Sequence, residues 1–189
     1  MQLLNSQGSG YLSDVIEGLE WSMRNGIQVV NMSFGMSTDS QSLHDAVSLV
    51  NQSGIVQIAS AGNNYGSSVS YPAAYPEVIS VSATDSNNQI APFSNKGKVD
   101  LSAPGVSINS TYKGSTYQSM SGTSMAAPHV AGVTALLLSI PSKCDLNFDG
   151  VISPAEVQQR LENTAIDLGV AGKDEIYGSG LVDAYSAIQ

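Results

Sequence analysis

The chain has 189 residues, 42% of them hydrophobic and 12% charged, and its formal net charge is −9. This composition predicts one folded domain with a substantial core rather than a disordered chain. The acidic excess argues against nucleic acid and anionic membranes as partners, because both bind basic surfaces, and no apolar run reaches the roughly 18 residues that span a bilayer.

Helical and strand patterns alternate through the first half of the chain. Apolar residues at helical spacing predict helices over residues 12–25 and 38–51. Short apolar runs predict strands over residues 27–34, 55–60, 78–84 and 99–103. Because these strands are apolar on both faces, they indicate a parallel sheet covered by helices on both sides, which is a three-layer α/β fold.

The second half of the chain is predicted to be mainly helical. Residues 106–120 read as irregular or antiparallel β structure, and a long helix is expected over residues 125–139. Two more helices are expected over residues 154–165 and near residues 181–188. With no internal repeat or linker, residues 1–189 form a single domain.

Ser124 is a candidate nucleophile at the start of the long helix. A helix N-terminus leaves backbone N–H groups unpaired and favours negative charge, which suits a serine that attacks a carbonyl group. Gly122 lets a substrate chain approach closely. The alternative is that Thr123 or Ser124 only caps the helix.

Asn63 is a candidate donor to the oxyanion that such an attack creates. It follows the predicted strand 55–60 almost directly, and polar residues just past the carboxyl ends of parallel strands lie on the ligand-binding face. The alternative is a turn asparagine that adopts a left-handed backbone conformation.

The chain resembles the C-terminal two-thirds of a subtilisin-like serine protease catalytic domain, that is, of a subtilase. Ordered segments carry the resemblance: Gly8–Gly10, Asn31–Gly35, Ala61–Asn63, Tyr71–Pro76, Ala103–Gly105 and Gly122–His129. The resemblance implies that Ser124 is the nucleophile and that the Asn63 amide, with the Ser124 N–H, binds the oxyanion. It also implies a polypeptide substrate or inhibitor, an extracellular parent protein and a role as a hydrolase.

The same resemblance implies three groups of substrate-binding residues. A substrate strand would pair with Gly8, Ser9 and Gly10 on one side and with Ser33, Phe34 and Gly35 on the other. The pocket for the residue before the cut would be lined by Ser60, Gly62, Asn64 and Ser70. An apolar pocket further back would be formed by Leu12, Val15 and Phe34.

The catalytic base is not evident in this chain. Subtilases place an aspartate and a histidine ahead of the serine in chain order, and the first residues here correspond to a point beyond that histidine. Of the two histidines, His129 lies within the nucleophile motif and is expected to be structural, and His44 is expected to face solvent. We therefore expect at most residual activity from this chain alone, and an uncovered sheet edge and helix face that another polypeptide or a second copy would cover.

Residues 145–156 fit the spacing of an EF-hand calcium loop, D-x-N-x-D-G-x₅-E. Oxygen atoms for Ca²⁺ would come from Asp145, Asn147, Asp149, Val151 (its carbonyl), Ser153 and Glu156. Ser153 and Glu156 also fit a helix capping box, which alone does not explain the three earlier oxygen donors. A weaker cation site is implied by the family resemblance at the carbonyls of Ala73, Tyr75 and Val78, near Asp100.

Two other functions compete with a protease fragment. A non-catalytic module that binds peptides and calcium would keep the cleft and the loop without turnover. An α/β-hydrolase esterase is disfavoured, because residues 122–126 lack the final glycine of G-x-S-x-G and no histidine follows near the chain's end.

Overall fold

A computed structural model describes residues 3–189. Four strands form one parallel sheet in chain order: β1 (Val29–Met32), β2 (Val56–Ser60), β3 (Val78–Thr84) and β4 (Leu101–Pro104). In the register of this sheet, Ile58 lies opposite Asn31 on one side and Ile79 on the other. The predicted parallel sheet is confirmed.

Helices cover both faces of this sheet. On one face, α1 (Leu12–Arg24) and α2 (Gln41–Gln52) pack against side chains such as Ala59 and Val78. On the other face, α3 (Thr123–Leu138), α4 (Pro154–Asn163) and the short α5 (Ala184–Ile188) pack against alternate side chains such as Ile58 and Val81. Side chains alternate along each strand, so the two faces have separate cores and the three-layer α/β prediction is confirmed.

A hairpin precedes the central helix. Strands β5 (Ile108–Tyr112) and β6 (Thr116–Met120) pair in antiparallel register, with mostly exposed residues. Of the two forms expected for residues 106–120, the antiparallel one is therefore correct. The hairpin leads directly into α3, so it lies beside the start of that helix.

The last helix begins later than predicted. Leu181 exchanges backbone hydrogen bonds with Ile166, and the neighbouring Val182 donates to the Ser102 carbonyl on β4, so residues 181–182 are extended. Asp183 then caps α5 by accepting the N–H groups of residues 185 and 186. Because residues 181–182 are held in extended pairing and Asp183 is the N-cap, the helix begins only at Ala184.

One edge and one helix face are open in this fold. β1 lies at the end of the sheet order, so its outer side has no strand partner among residues 3–189. Along α3, a stripe of exposed residues runs from Pro128 and His129 to Leu136, whose side chain is 53% exposed. Within the same described range, no helix is both long and apolar enough to cross a membrane.

Candidate active site

Asn63 and the first turn of α3 come together at the carboxyl end of β2. The Asn63 Oδ1 accepts the Thr123 N–H at 2.9 Å and the Thr123 hydroxyl at 3.0 Å. Because a backbone N–H can only donate, the amide atom that it contacts must be the oxygen. Nδ2 of Asn63 is therefore left as the donor that can face a ligand beside Ser124.

Thr123 holds both Gly62 and Asn63 against the start of α3. Its side chain is fully buried, and its hydroxyl also accepts the Gly62 N–H at 3.0 Å. A Cβ atom added at Gly122 would lie 3.3 Å from the Asn63 Nδ2, so the glycine lets the amide sit close to the helix. Gly122 itself is the N-cap and no side chain caps α3, so the prediction that Thr123 or Ser124 serves as the cap is wrong.

The alternative reading of Asn63 as a left-handed turn residue is also wrong. Positive φ angles fall on its neighbours Gly62 (109°) and Tyr65 (52°), and Asn63 is not among the residues with positive φ. The left-handed conformation that this turn requires is therefore supplied by other residues, which leaves the Asn63 side chain free to contact α3.

The nucleophile turn is also fastened to β1. The Ser33 hydroxyl donates to the Ser124 carbonyl at 2.8 Å, and the Asn31 amide donates to the Ser33 hydroxyl at 2.9 Å. Ser124 lines a cleft of about 380 Å³ between the β5–β6 hairpin and α3. The end of the predicted substrate-binding strand and the candidate nucleophile are thus held together.

Asn95 holds the loop that carries Asn63, a role that no local pattern in the chain predicts. Only 1% of it is exposed. Its Nδ2 donates to the Ala61 and Ser68 carbonyls at 3.2 and 2.9 Å, and its Oδ1 accepts the Asn64 N–H at 2.7 Å. These partners lie about thirty residues away in sequence, beyond the range of any local motif.

Four residues are predicted to line the pocket for the substrate residue that precedes the cleaved bond. They lie on or next to the loop that carries Asn63. A Cβ added at Gly62 would lie 2.6 Å from the Ser70 Oγ, and the Ser70 N–H donates to the Ala61 carbonyl at 2.9 Å. Asn64 is exposed, whereas Ser60 is buried at the end of β2. Asn64 is therefore at the surface of the loop, Gly62 and Ser70 are partly buried in it, and Ser60 lies beneath it.

A cavity lies at the residues predicted to form the apolar pocket. A cavity of about 330 Å³ is lined by all three residues predicted for it, Leu12, Val15 and Phe34, and also by Gly35 and residues 8–10. Residues 8–10 do not form a strand: the Asn5 N–H donates to the Ser9 carbonyl at 2.8 Å, and Gly8 has a φ of 77°. Gly8, Ser9 and Gly10 thus close a turn at the mouth of this cavity.

Both histidines have polar partners other than Ser124. The His129 Nδ1 lies 2.9 Å from the Met125 carbonyl, one turn back along α3. His44 is half-buried rather than facing solvent as predicted, because its ring stacks on Tyr75 at 4.3 Å and its Nε2 lies 3.2 Å from Glu77. Within residues 3–189, no imidazole is hydrogen-bonded to the Ser124 hydroxyl.

In the acidic loop after α3, the carboxylate side chains accept hydrogen bonds from backbone N–H groups of the same loop. The Asp145 carboxylate accepts the N–H groups of Asp149 and Gly150 at 3.1 and 3.0 Å, and Asp149 accepts the Val151 N–H at 2.7 Å. Asn147 accepts the Asp149 N–H at 2.9 Å. A 3-10 turn (Pro141–Lys143) lies between α3 and this loop.

Glu156 closes this loop and forms the predicted capping box with Ser153. Its Oε1 also accepts the Leu146 N–H at 3.1 Å. The N–H and hydroxyl of Ser153 lower the pKa of the Glu156 carboxyl below its usual value. No three Asp, Glu, His or Cys side chains in the described part of the chain are grouped closely enough to hold a metal ion, although the loop carries the oxygen ligands that calcium prefers.

Comparison with known proteins identifies the family. The profile of the Subtilase family matches residues 1–180. This chain belongs to the subtilase family. The four-stranded parallel sheet with helices on both faces is therefore a subtilisin-like fold, in a family of serine peptidases.

Several subtilases align with nearly the whole chain. Subtilisin DY of Bacillus licheniformis is 44% identical over 195 residues, covering 100% of this chain and 67% of its own length. M-protease of Shouchella clausii is 43% identical over 99% of this chain and 47% of its own length. The chain thus spans about half to two-thirds of these subtilases.

Proposed function

We propose that this chain is the part of a subtilisin-like serine endopeptidase that carries the nucleophile, the oxyanion donors and the substrate cleft. The observation that carries this proposal is the contact of Asn63 with the first turn of α3, which brings a free amide donor beside Ser124. The alternative, a non-catalytic peptide- and calcium-binding module, shares the cleft but needs no reactive serine.

In this proposal the Ser124 Oγ attacks the carbonyl carbon of the scissile peptide bond. Its proton passes to a histidine base supplied by another part of the protease. The negative charge that develops on the carbonyl oxygen accepts hydrogen bonds from the Asn63 Nδ2 and the Ser124 N–H, which lies in the first helical turn where backbone donors are unpaired. Collapse of this intermediate breaks the C–N bond, and the histidine gives its proton to the departing amine. The acyl group left on Ser124 is then hydrolysed by water.

In this proposal the substrate binds to the segments and loops around Ser124. Residues 33–35 continue past the end of β1, so an extended peptide can pair with them as an added strand. Gly62, Asn64 and Ser70 would surround the side chain before the cut, and the 330 Å³ cavity would take an apolar side chain further back.

We expect the chain alone to be nearly inactive. Without a base the Ser124 hydroxyl stays protonated and is a weak nucleophile, and both histidines are engaged elsewhere. Loss of the histidine in subtilisin costs about as much turnover as loss of the whole triad.

A fluorophosphonate probe, which labels an activated serine, tests this function. The chain alone should label slowly. Addition of a subtilase segment that carries the family's aspartate and histidine should give rapid labelling, located at Ser124 by mass spectrometry and absent in Ser124→Ala. Absence of labelling in the complemented protein, despite demonstrated complex formation, would favour the binding-module alternative.

The parent protein is proposed to be extracellular. A relative from Bacillus subtilis, 40% identical over 184 residues, is named minor extracellular protease Epr. The acidic net charge suits a secreted protein. Secretion of a tagged full-length parent into the culture medium, and its retention in cells after deletion of an export signal, would support this assignment.

Calcium is proposed to bind the loop at residues 145–156 and to stabilise the fold rather than take part in catalysis. The D-x-N-x-D-G-x₅-E spacing supports this assignment, as does the inward folding of the Asp145 and Asp149 carboxylates over the loop. Helix α4 begins at Pro154, within the last three positions of the loop, so an ion held there would couple the loop to the core.

Thermal unfolding with calcium and with chelator tests this site. Calcium at about a hundred times its Kd should add about 2.7 kcal/mol, which raises the Tm by roughly 5–10 °C for a chain of this size. Asp149→Asn should remove the effect. Asp85→Asn is a matched control, because Asp85 accepts two N–H groups in a similar turn elsewhere. An equal Tm in both conditions would rule out the site.

A further inference from the structure

A buried carboxylate links β3, β4 and the C-terminal segment. The side chain of Asp100, which precedes β4, is only 4% exposed. Its Oδ2 accepts the Ser80 N–H at 2.8 Å and the Lys98 ammonium at 2.6 Å, and its Oδ1 accepts the Lys173 ammonium at 3.0 Å. The buried negative charge is thus met by two positive charges and one backbone donor.

Lys98 occupies the position where the family resemblance implies a cation. Its Nζ contacts the Val78 carbonyl as well as Asp100. Both groups belong to the set that the resemblance assigns to a weakly bound cation. An ammonium is a compact charge with three donors, so it can satisfy a carbonyl and a carboxylate at the same time.

A metal ion does not fit beside these groups. Lys173, which also pairs with Glu162 on α4 at 2.9 Å, places a second positive charge on the same carboxylate. An external cation would have to displace Lys98 and approach Lys173 against electrostatic repulsion.

We propose that the Lys98 ammonium takes the place of the metal cation, so that the pocket between Val78 and Asp100 is closed by an internal charge. The stability of this chain is then independent of alkali-metal ions at this pocket. Removal of the ammonium opens the Val78 carbonyl and Asp100 to an alkali-metal ion from solution.

Thermal unfolding in different chloride salts tests the proposal. The full chain is unfolded in sodium, potassium or choline chloride at one ionic strength, with chelator present so that the loop at residues 145–156 does not contribute. The wild type should give the same Tm in all three salts. Lys98→Met should unfold about 5 °C lower or more in choline and recover at least half of that loss in sodium or potassium.

Lys173→Met is the matched control, because it removes the other ammonium of the pair but leaves Lys98 on the Val78 carbonyl. It should lose stability equally in all three salts. A Lys98→Met chain that loses stability with no recovery in sodium or potassium would overturn the proposal and leave Lys98 as an ion-pair partner only.

Thallium-205 NMR, with Tl⁺ as a potassium substitute, gives a second measurement, and its wild-type result does not depend on any variant folding. The wild-type chain should show no bound Tl⁺, and Lys98→Met should show it. Bound Tl⁺ at Asp100 in the wild type, or a wild-type Tm that rises in potassium relative to choline, would equally overturn the proposal.

Discussion

At the residue scale, Thr123 decides which way the Asn63 amide faces. Its N–H and hydroxyl both donate to the Asn63 oxygen, and the remaining amide group is a donor. An oxyanion needs donors already in place, since their reorientation during the reaction would cost part of the stabilisation. The buried threonine thus supports the proposed chemistry without touching the substrate.

Thr123→Val should therefore slow the labelling of Ser124 in the complemented protease. One of the two donors to Asn63 is lost, and a lost hydrogen bond of about 1 kcal/mol corresponds to a rate loss of about fivefold. Asn63→Ala should cost more, roughly 10²–10³-fold, which is the magnitude found for loss of the oxyanion-hole asparagine in subtilisin. The rates are measured with a fluorophosphonate probe.

Thr134→Val is the control for this substitution. Thr134 is also buried on α3, and its hydroxyl donates to the Val130 carbonyl at 2.8 Å, within the helix. It should lower stability without a change in labelling rate. Equal slowing in both variants would mean that Thr123 acts through the stability of α3 alone.

At the element scale, Tyr75 fastens the turn before β3 to the segment that leads into α2. Its hydroxyl donates to Asp39 at 2.8 Å, and its ring stacks on His44 of α2 at 4.3 Å. Burial, and then the hydrogen bond to Asp39, raise the pKa of Tyr75 from 10.0 to about 12. The contact that orders this turn is therefore linked to pH.

This pKa shift predicts a loss of stability in alkali. Between pH 10 and about 12 the folded chain keeps a proton that the unfolded chain loses, so the stabilisation is fully present below pH 10 and falls as the pH rises through this range. The free energy of unfolding, measured by urea titration at each pH, should show this decline.

Tyr75→Phe should remove this part of the decline and also lower stability at neutral pH. Tyr185→Phe, which changes a ring that is 71% exposed, should keep the decline. A Tyr75→Phe chain with the same alkaline slope as the wild type would show that Tyr75 does not titrate in this range.

At the scale of the whole molecule, one strand edge and one apolar helix face are left uncovered by the described residues. Strand β1 presents an open edge and α3 an exposed apolar stripe that includes Leu136. Open strand edges and apolar faces favour association with other chains. The subtilases that match this chain are longer than it, so we propose that further polypeptide covers this side in the whole protease.

Without such a partner, the chain should associate with itself. Size-exclusion chromatography with light scattering should give a mass above that of a 19.6 kDa monomer. Leu136→Asp should shift the chain towards the monomer, because it places a charge on the α3 stripe. Leu49→Asp, at a similarly exposed leucine on α2, should leave the distribution unchanged. A stable monomeric wild type would contradict this expectation.

Periodicity and residue spacing along the chain specify the layers of the fold and the local caps. Strands apolar on both faces required helices on both sides, and the strand at residues 78–84 has its predicted bounds. The Ser153–Glu156 capping box forms as its spacing predicts. These features depend on residues within a few positions of one another, and periodicity and spacing record such contacts directly.

The contacts between distant residues at the site depend on how the elements pack together. The Asn63–Thr123 contact spans 60 residues and the Asn64–Asn95 contact spans 31. The approach of Lys98 to Val78 and the stacking of His44 on Tyr75 are likewise set by packing. Such contacts depend on where strand ends and helix starts are brought together in space, which no local pattern in the chain encodes.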